Sequence, residues 1–144
     1  MEDFTAWLRL SAKKWAAEIK TLGRYARSYT QEAYVGLAMF LQSEWEYIQH
    51  AAPGVVTFMG SAETAIWENF FPVLLGMAEV PGRLIKLLDL VSNSDGMGIP
   101  EPMTMADECY KVSLGCSKRM VELLMTGDPL YSVDHRYCVW KGIV

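Results

Sequence analysis

Apolar residues recur at three- and four-residue spacings along most of this chain, a period typical of amphipathic helices. The first such stripe predicts a helix from Asp3, its expected cap, to about Ser28. Gly23 lies inside this helix and weakens its last turns, because glycine costs about 1 kcal/mol relative to alanine in a helix. The stripe is widened by Trp7 and Leu10, and it consists of Phe4, Leu8, Trp15, Ile19 and Leu22.

A second helix is predicted between Thr30, a suitable N-cap, and the helix-breaking pair Pro53-Gly54. Its inward stripe consists of Tyr34, Leu37, Leu41, Trp45 and Ile48. A second apolar set lies on other faces of the helix and consists of Val35, Met39, Phe40 and Tyr47. A helix that is apolar on more than one face lies either at the centre of a bundle or against a neighbour that this chain lacks.

Two further helices are predicted over residues 61–76 and, more briefly, over about 81–91. Pro72 lies inside the longer one and cannot donate a backbone hydrogen bond, so we expect a kink or break near Asn69. Ser61 is the expected cap of this helix.

Ser, Asn, Asp, Gly and Pro cluster at about residues 92–102 and predict a loop there. Thr104 is expected to cap a fifth helix, with Asp107 in an arrangement like a capping box, and Ser132 is expected to cap a last one. The sequence therefore predicts a single all-α domain over residues 1–144, an irregular antiparallel bundle of five to six helices with a Gly/Pro loop at about 92–102.

Charge is unevenly distributed along the chain, although the net charge is only -4. Residues 1–30 contain six Lys or Arg and three Asp or Glu, whereas residues 31–80 contain six Glu and no Lys or Arg. The basic first helix is a candidate for following a nucleic-acid backbone, and a solvated helix face is the alternative. The candidate nucleic-acid-binding residues are Lys13, Lys14, Lys20, Arg24 and Arg27.

No motif in the sequence indicates catalysis or a cofactor. The Gly-rich segment Asp95–Gly98 follows a helix and precedes prolines, so a bent loop that places Ile99 against the core is favoured over a phosphate site. His135 and Cys138 could share a metal ion only with two further ligands, and ordinary packed or surface residues are favoured.

Two other side-chain sets carry weaker functional alternatives. The first alternative is acid–base catalysis by carboxylates such as Glu44 and Glu46. Solvated acids are favoured, because no spacing in the sequence marks two of the carboxylates as a catalytic pair. The second alternative is stacking of nucleic-acid bases on a set of aromatic residues. Their helical spacing favours packing in the core instead, and the set consists of Trp45, Tyr47, Trp67, Phe70 and Phe71.

The three cysteines, Cys109, Cys116 and Cys138, are an odd number without a Cys-x-x-Cys pair, which suits a reducing compartment. No signal-peptide pattern is present at the N-terminus, and no apolar run approaches the roughly 18 residues that span a bilayer. We therefore expect an intracellular protein, cytoplasmic or nuclear, without membrane contact.

Residues 7–140 resemble, in order, a helical region of known proteins. A first helix carries Trp15 and ends in Ala26-Arg27, the apolar helix 34–48 follows, and Pro53-Gly54 makes a Pro-containing turn. The next helix ends in a set of aromatic and aliphatic residues followed by glycine, namely Phe70, Phe71, Leu74, Leu75 and Gly76. A turn over residues 95–99, followed by Pro100, closes the pattern.

This ordered set resembles the thumb and connector downstream of the polymerase core in reverse transcriptases of non-LTR, LINE-like retroelements. The turn departs from the Gly-Gly-Leu-Gly-Ile pattern of that family at Asp95 and Met97. No two Asp residues are adjacent anywhere, so the metal-binding Asp-Asp motif of the palm is absent. The resemblance implies a thumb-like fragment of a longer polymerase, and it does not imply activity in this chain.

The leading hypothesis is therefore a non-catalytic thumb-like module that contacts an RNA–DNA duplex through its first helix, beside a palm domain outside this chain. The alternative is a helical protein–protein interaction module, based on the acidic and aromatic-rich segment 31–80, and it predicts self-association or a captured partner. A helical enzyme of another class is the third hypothesis.

Overall fold

A computed structural model describes residues 2–90 and 96–129 and confirms the all-α class, because the described residues form five helices and no strand. Two of the five helices contain an internal π-helical segment, and a 3₁₀ turn, Val55–Phe58, precedes one of them. In chain order the helical segments are α1 Glu2–Tyr25, α2 Thr30–Val35, the first π segment Gly36–Leu41, α3 Gln42–Ala51, α4 Gly60–Ala65, the second π segment Ile66–Phe70, α5 Phe71–Leu75, α6 Gly82–Asp89 and α7 Pro102–Thr126.

The predicted stripe of α1 is correct along most of the helix but wrong at its N-terminal end. Leu8, Trp15 and Ile19 are buried at 3% exposure or less, whereas Phe4 and Trp7 are 43% and 47% exposed. The part of α1 before Leu8 therefore extends past the core, and the Phe4 and Trp7 rings stack on each other with centroids 5.9 Å apart instead of packing inward.

Small residues let α1 approach α4 and the second π segment closely. Ala12 and Ala16 of α1 are buried, as are Ala62 and Ala65 of α4. Gly23 is the tightest point, because a Cβ atom there would lie 2.3 Å from the backbone oxygen of Asn69. The glycine that weakens the helix in sequence terms is therefore the residue that permits this packing.

Segments α2, the first π segment and α3 run continuously from residue 30 to 51, since the residues that join them keep right-handed helical angles. Thr30 does not cap this helix as predicted, because its hydroxyl donates to the carbonyl of Ala26 at 3.0 Å. The inward stripe is confirmed by burial of Leu37, Leu41 and Trp45. The central-helix alternative is wrong for the second apolar set, because all four of its members are exposed: Val35, Met39, Phe40 and Tyr47.

The turn at Pro53-Gly54 is confirmed, and Gly54 adopts a left-handed φ of 71°. The predicted irregularity near Asn69 takes the form of the second π segment, which ends just before α5. Pro72 lies two residues after the end of this π segment, so the irregular hydrogen bonding lies beside the residue that lacks a backbone N–H.

The Gly-rich segment folds back on the end of α6. The backbone N–H of Gly98 donates to the carbonyl of Leu90 at 2.8 Å, and the Tyr34 hydroxyl donates to the carbonyl of Met97 at 2.5 Å. Ile99 is 1% exposed, which confirms the prediction that this loop places Ile99 in the core. Residues 92–95 of the predicted loop, and Val91 at the predicted end of the helix before it, lie outside the described residues.

Helix α7 begins at Pro102, two residues before the predicted start, so the capping role predicted for Thr104 is wrong. The first turn of α7 is fixed by hydrogen bonds with side chains of other helices. Gln49, which is 2% exposed, donates from Nε2 to the carbonyl of Pro102 at 2.9 Å, and Glu63 accepts the N–H of Met103 at 2.9 Å. Asp107 instead pairs with Lys111. The helix predicted after Ser132 lies outside the described residues.

A cluster of three carboxylates surrounds the start of α7. Burial raises the pKa of Glu101, and the negative charges of Glu63 and Asp89 raise it further, while Lys86 opposes them. Asp89 also accepts the backbone N–H of Glu101 at 3.3 Å. The ionised form of Glu101 is therefore disfavoured in the folded chain.

We expect Gly23→Ala to lower the free energy of unfolding by about 1–3 kcal/mol, because the new methyl group overlaps a backbone atom that cannot rotate away. Helix propensity alone predicts the opposite sign. Gly82→Ala is the control, since a Cβ there meets nothing within 4 Å. Urea unfolding followed by circular dichroism measures both variants, and equal stability of Gly23→Ala and the wild type would contradict the close approach.

We also expect stability to depend on the protonation of Glu101. The folded chain keeps this proton to a higher pH than the unfolded chain, so Glu101 opposes folding as the pH rises through and above the ordinary value of 4.5. Glu101→Gln should raise the melting temperature at pH 7 and leave it unchanged at pH 3.5. Glu68→Gln, which removes an exposed charge elsewhere, is the control, and an equal gain at both pH values would contradict the assignment.

Candidate nucleic-acid interface

Three of the five predicted binding residues form a line on the exposed side of α1. Lys13, Lys20 and Arg24 are separated by seven and four residues, which places them within about 40° of one another around the helix. All three are exposed, and the line extends about 16 Å along the helix axis. We call Lys13, Lys20 and Arg24 the basic stripe.

The basic stripe keeps its charge available. None of its three side chains lies within 4.0 Å of a carboxylate among residues 2–90 and 96–129. Arg24 donates from Nη2 to the Thr21 hydroxyl at 3.3 Å, and Thr21 in turn donates to the carbonyl of Ala17. One guanidinium nitrogen is therefore positioned by the helix, while the remaining N–H groups of Arg24 face solvent.

Lys14 does not belong to the stripe. It lies about 100° around the helix from Lys13, with its ammonium group 3.5 Å from Glu18 and 3.6 Å from Glu44. The charge of Glu18, followed by that of Glu44, raises the pKa of Lys14. Lys14 is thus separated from the other predicted nucleic-acid-binding residues, because two carboxylates already balance its charge.

Arg27, the last of the five, is exposed in the turn between α1 and α2. Two backbone hydrogen bonds to the carbonyl of Tyr25 shape this turn, one from Ser28 at 3.1 Å and one from Tyr29 at 3.0 Å. Arg27 therefore extends the positive charge past the end of α1.

Two tyrosines that the helical periodicity does not single out, Tyr25 and Tyr29, lie beside the end of the basic stripe and are 55% and 50% exposed. Their signal in the sequence is the run Arg24-Tyr25-Ala26-Arg27-Ser28-Tyr29, in which cations alternate with aromatic rings. Interleaving of this kind is typical of surfaces that bind nucleic acid.

The aromatic set that sequence analysis considered for base stacking belongs mainly to the core, as the favoured interpretation predicted. Trp45, Phe70 and Phe71 are 3% exposed or less, and Trp67 stacks on Phe71 at 4.9 Å. Tyr47 is the exception, at 73% exposure.

The environments of Glu44 and Glu46 favour a structural or solvated role for these carboxylates over acid–base catalysis. Glu44 accepts the indole N–H of Trp15 at 3.0 Å, which fixes α1 against α3, and Glu46 is exposed. No group of three or more His, Cys, Asp or Glu in the described ranges could hold a metal ion. His135 and Cys138 lie outside those ranges.

Within the part of the chain that the structure describes, no helix combines the length and apolar character needed to cross a bilayer. Comparison of the chain with protein-family models, with curated proteins and with solved structures finds no match.

Proposed function

We propose that this chain is a non-catalytic, thumb-like helical module of a retroelement reverse transcriptase, which contacts the backbone of an RNA–DNA template–primer duplex. The observation that carries the proposal is the basic stripe: Lys13, Lys20 and Arg24 are aligned and exposed, with no carboxylate partner in the described ranges. The ordered sequence resemblance to the thumb and connector supports it.

A helix with aligned cations suits a duplex because its charges can follow one groove edge and meet successive phosphates. Arg24 can donate two N–H groups to one phosphate, whereas the lysines act as point charges. Arg27 adds a fourth cation beyond the helix. Contacts of this type release counterions and carry no sequence specificity. In the parent polymerase, the catalytic carboxylates belong to a palm domain outside this chain.

The expected binding is weak and strongly dependent on salt. Three to four phosphate contacts predict a loss of affinity on the order of 100-fold between 50 and 200 mM salt. Fluorescence anisotropy of a short RNA–DNA hybrid measures it. The triple variant Lys13→Gln/Lys20→Gln/Arg24→Gln should lose most of the binding and most of the salt dependence.

The matched control is Arg83→Gln/Lys86→Gln/Lys118→Gln, which removes the same charge from exposed positions on α6 and α7 and should bind like the wild type. Lys14→Gln should cost less affinity than Lys20→Gln, because Lys14 already pairs with Glu18 and Glu44. Salt-independent binding, or no binding at low salt by a chain with a helical spectrum, would contradict the proposal.

A helical protein–protein interaction module is the second candidate function. The observation that favours it is the outward apolar face of residues 30–51, where Met39, Phe40 and Tyr47 are 68%, 69% and 73% exposed. Exposed apolar surface of this kind is typical of interaction sites. No Lys or Arg occurs between residues 31 and 80, so the charges along this face are carboxylates.

This alternative predicts self-association through that face. Sedimentation velocity should show an oligomer for the wild type and a monomer for Met39→Gln/Phe40→Gln. Leu124→Gln/Met125→Gln, which changes two highly exposed residues on α7, is the control and should remain oligomeric. A strictly monomeric wild type, or loss of the oligomer only in the control, would exclude this face as a self-association surface.

A further inference from the structure

An open cleft of about 420 Å³ lies at the C-terminal end of α1, directly beside the basic stripe. Its lining combines two aromatic rings, one guanidinium and two hydroxyl groups, contributed by Tyr25, Tyr29, Arg24, Thr21 and Ser28. We call it the tyrosine cleft. The phosphate-backbone role of the stripe makes no use of these two rings.

The rings form an ordered pair. Their centroids lie 4.8 Å apart with an angle of 23° between the planes, which is the geometry of an offset stack. The hydrogen bond from the N–H of Tyr29 to the carbonyl of Tyr25 fixes the two residues relative to each other. Each ring is about half exposed, so the pair presents aromatic surface that no described residue covers.

The pair is positioned from beneath by the core. Gly23 and Ala26, on the opposite side of the same turns, are buried, and Ala26 is 0% exposed. The N–H of Ala26 donates to the carbonyl of Leu22 at 2.8 Å, which continues the helical bonding past Tyr25. The cleft is therefore attached to a part of α1 that cannot shift without disturbing the core.

The polar groups at the rim specify the charge of the ligand. Arg24 is held at the edge of the cleft by its hydrogen bond to Thr21 and keeps N–H groups for an anion. The last carbonyl groups of α1 carry partial negative charge, which disfavours an isolated phosphate at the floor of the cleft. A ligand that joins a flat, neutral ring to an anionic group a few ångströms away satisfies both conditions, and a nucleotide unit has that structure.

We infer that the tyrosine cleft binds an unpaired nucleobase, stacked on the free face of the Tyr25–Tyr29 pair, with its phosphate on Arg24. Because the basic stripe adjoins the cleft, the base belongs to a single-stranded extension of the duplex that the stripe contacts. That placement rests on the proposed function, whereas stacking of a base in the cleft does not.

The test compares two RNA–DNA hybrids of equal duplex length by fluorescence anisotropy, one blunt and one with a three-nucleotide single-stranded extension. One stacked base predicts about fivefold or tighter binding of the extended hybrid. Tyr25→Leu/Tyr29→Leu should abolish this preference, so that the blunt and the extended hybrid bind with equal affinity. Tyr25→Phe/Tyr29→Phe should retain the preference, because stacking needs the ring and not the hydroxyl group.

Tyr47→Leu is the control, since Tyr47 is a tyrosine on another helix that is more exposed than Tyr25 or Tyr29, and it should keep the preference. Blunt binding without a preference for the extension would overturn the cleft assignment and leave the proposed function intact, and so would a preference that survives Tyr25→Leu/Tyr29→Leu. Tyrosine-dependent binding of a single-stranded oligonucleotide without duplex binding would support the cleft and overturn the duplex role. A folded chain that binds none of these probes would overturn both.

Discussion

The rest of the structure depends on the close backbone contact between α1 at Gly23 and the second π segment at Asn69. No other residue type fits at Gly23, because even a methyl group would overlap the carbonyl oxygen of Asn69. The contact is continued by buried alanines on both helices, so α1 lies flat against the core over most of its length. The rotation of α1 about its own axis is thereby fixed, and with it the set of side chains that face solvent.

The orientation of α1 about its axis determines which residues form the candidate nucleic-acid interface. At the end of α1 and in the turn that follows it, the buried positions Gly23 and Ala26 alternate with the exposed positions Arg24, Tyr25 and Arg27. The same geometry places Lys14 on a different side of the helix, where Glu18 and Glu44 reach it. The placement of α1 thus separates the basic stripe, which has no carboxylate partner among the described residues, from a lysine that pairs with two carboxylates.

The two candidate functions use different surfaces, which adjoin where Thr21 and Phe40 line a common pocket. The basic stripe and the tyrosine cleft lie on α1 and the turn that follows it, whereas the outward apolar face lies on residues 30–51. Glu44, which accepts the indole N–H of Trp15, connects the two helices that carry these surfaces.

Periodicity by itself determined the helical class and most of the inward positions, because the alternation of apolar and polar residues is a local property of the chain. The burial of Ile99 was predicted from the Gly- and Pro-rich loop instead. The starts of helices were not determined in this way. Thr30 and Thr104 have suitable side chains for capping, but the first turn of α7 is instead held by Gln49 and Glu63, which are more than 35 residues away. Likewise, only tertiary packing decided which lysine is paired and which tyrosines meet, because those outcomes depend on distances between groups whose positions the local sequence does not specify.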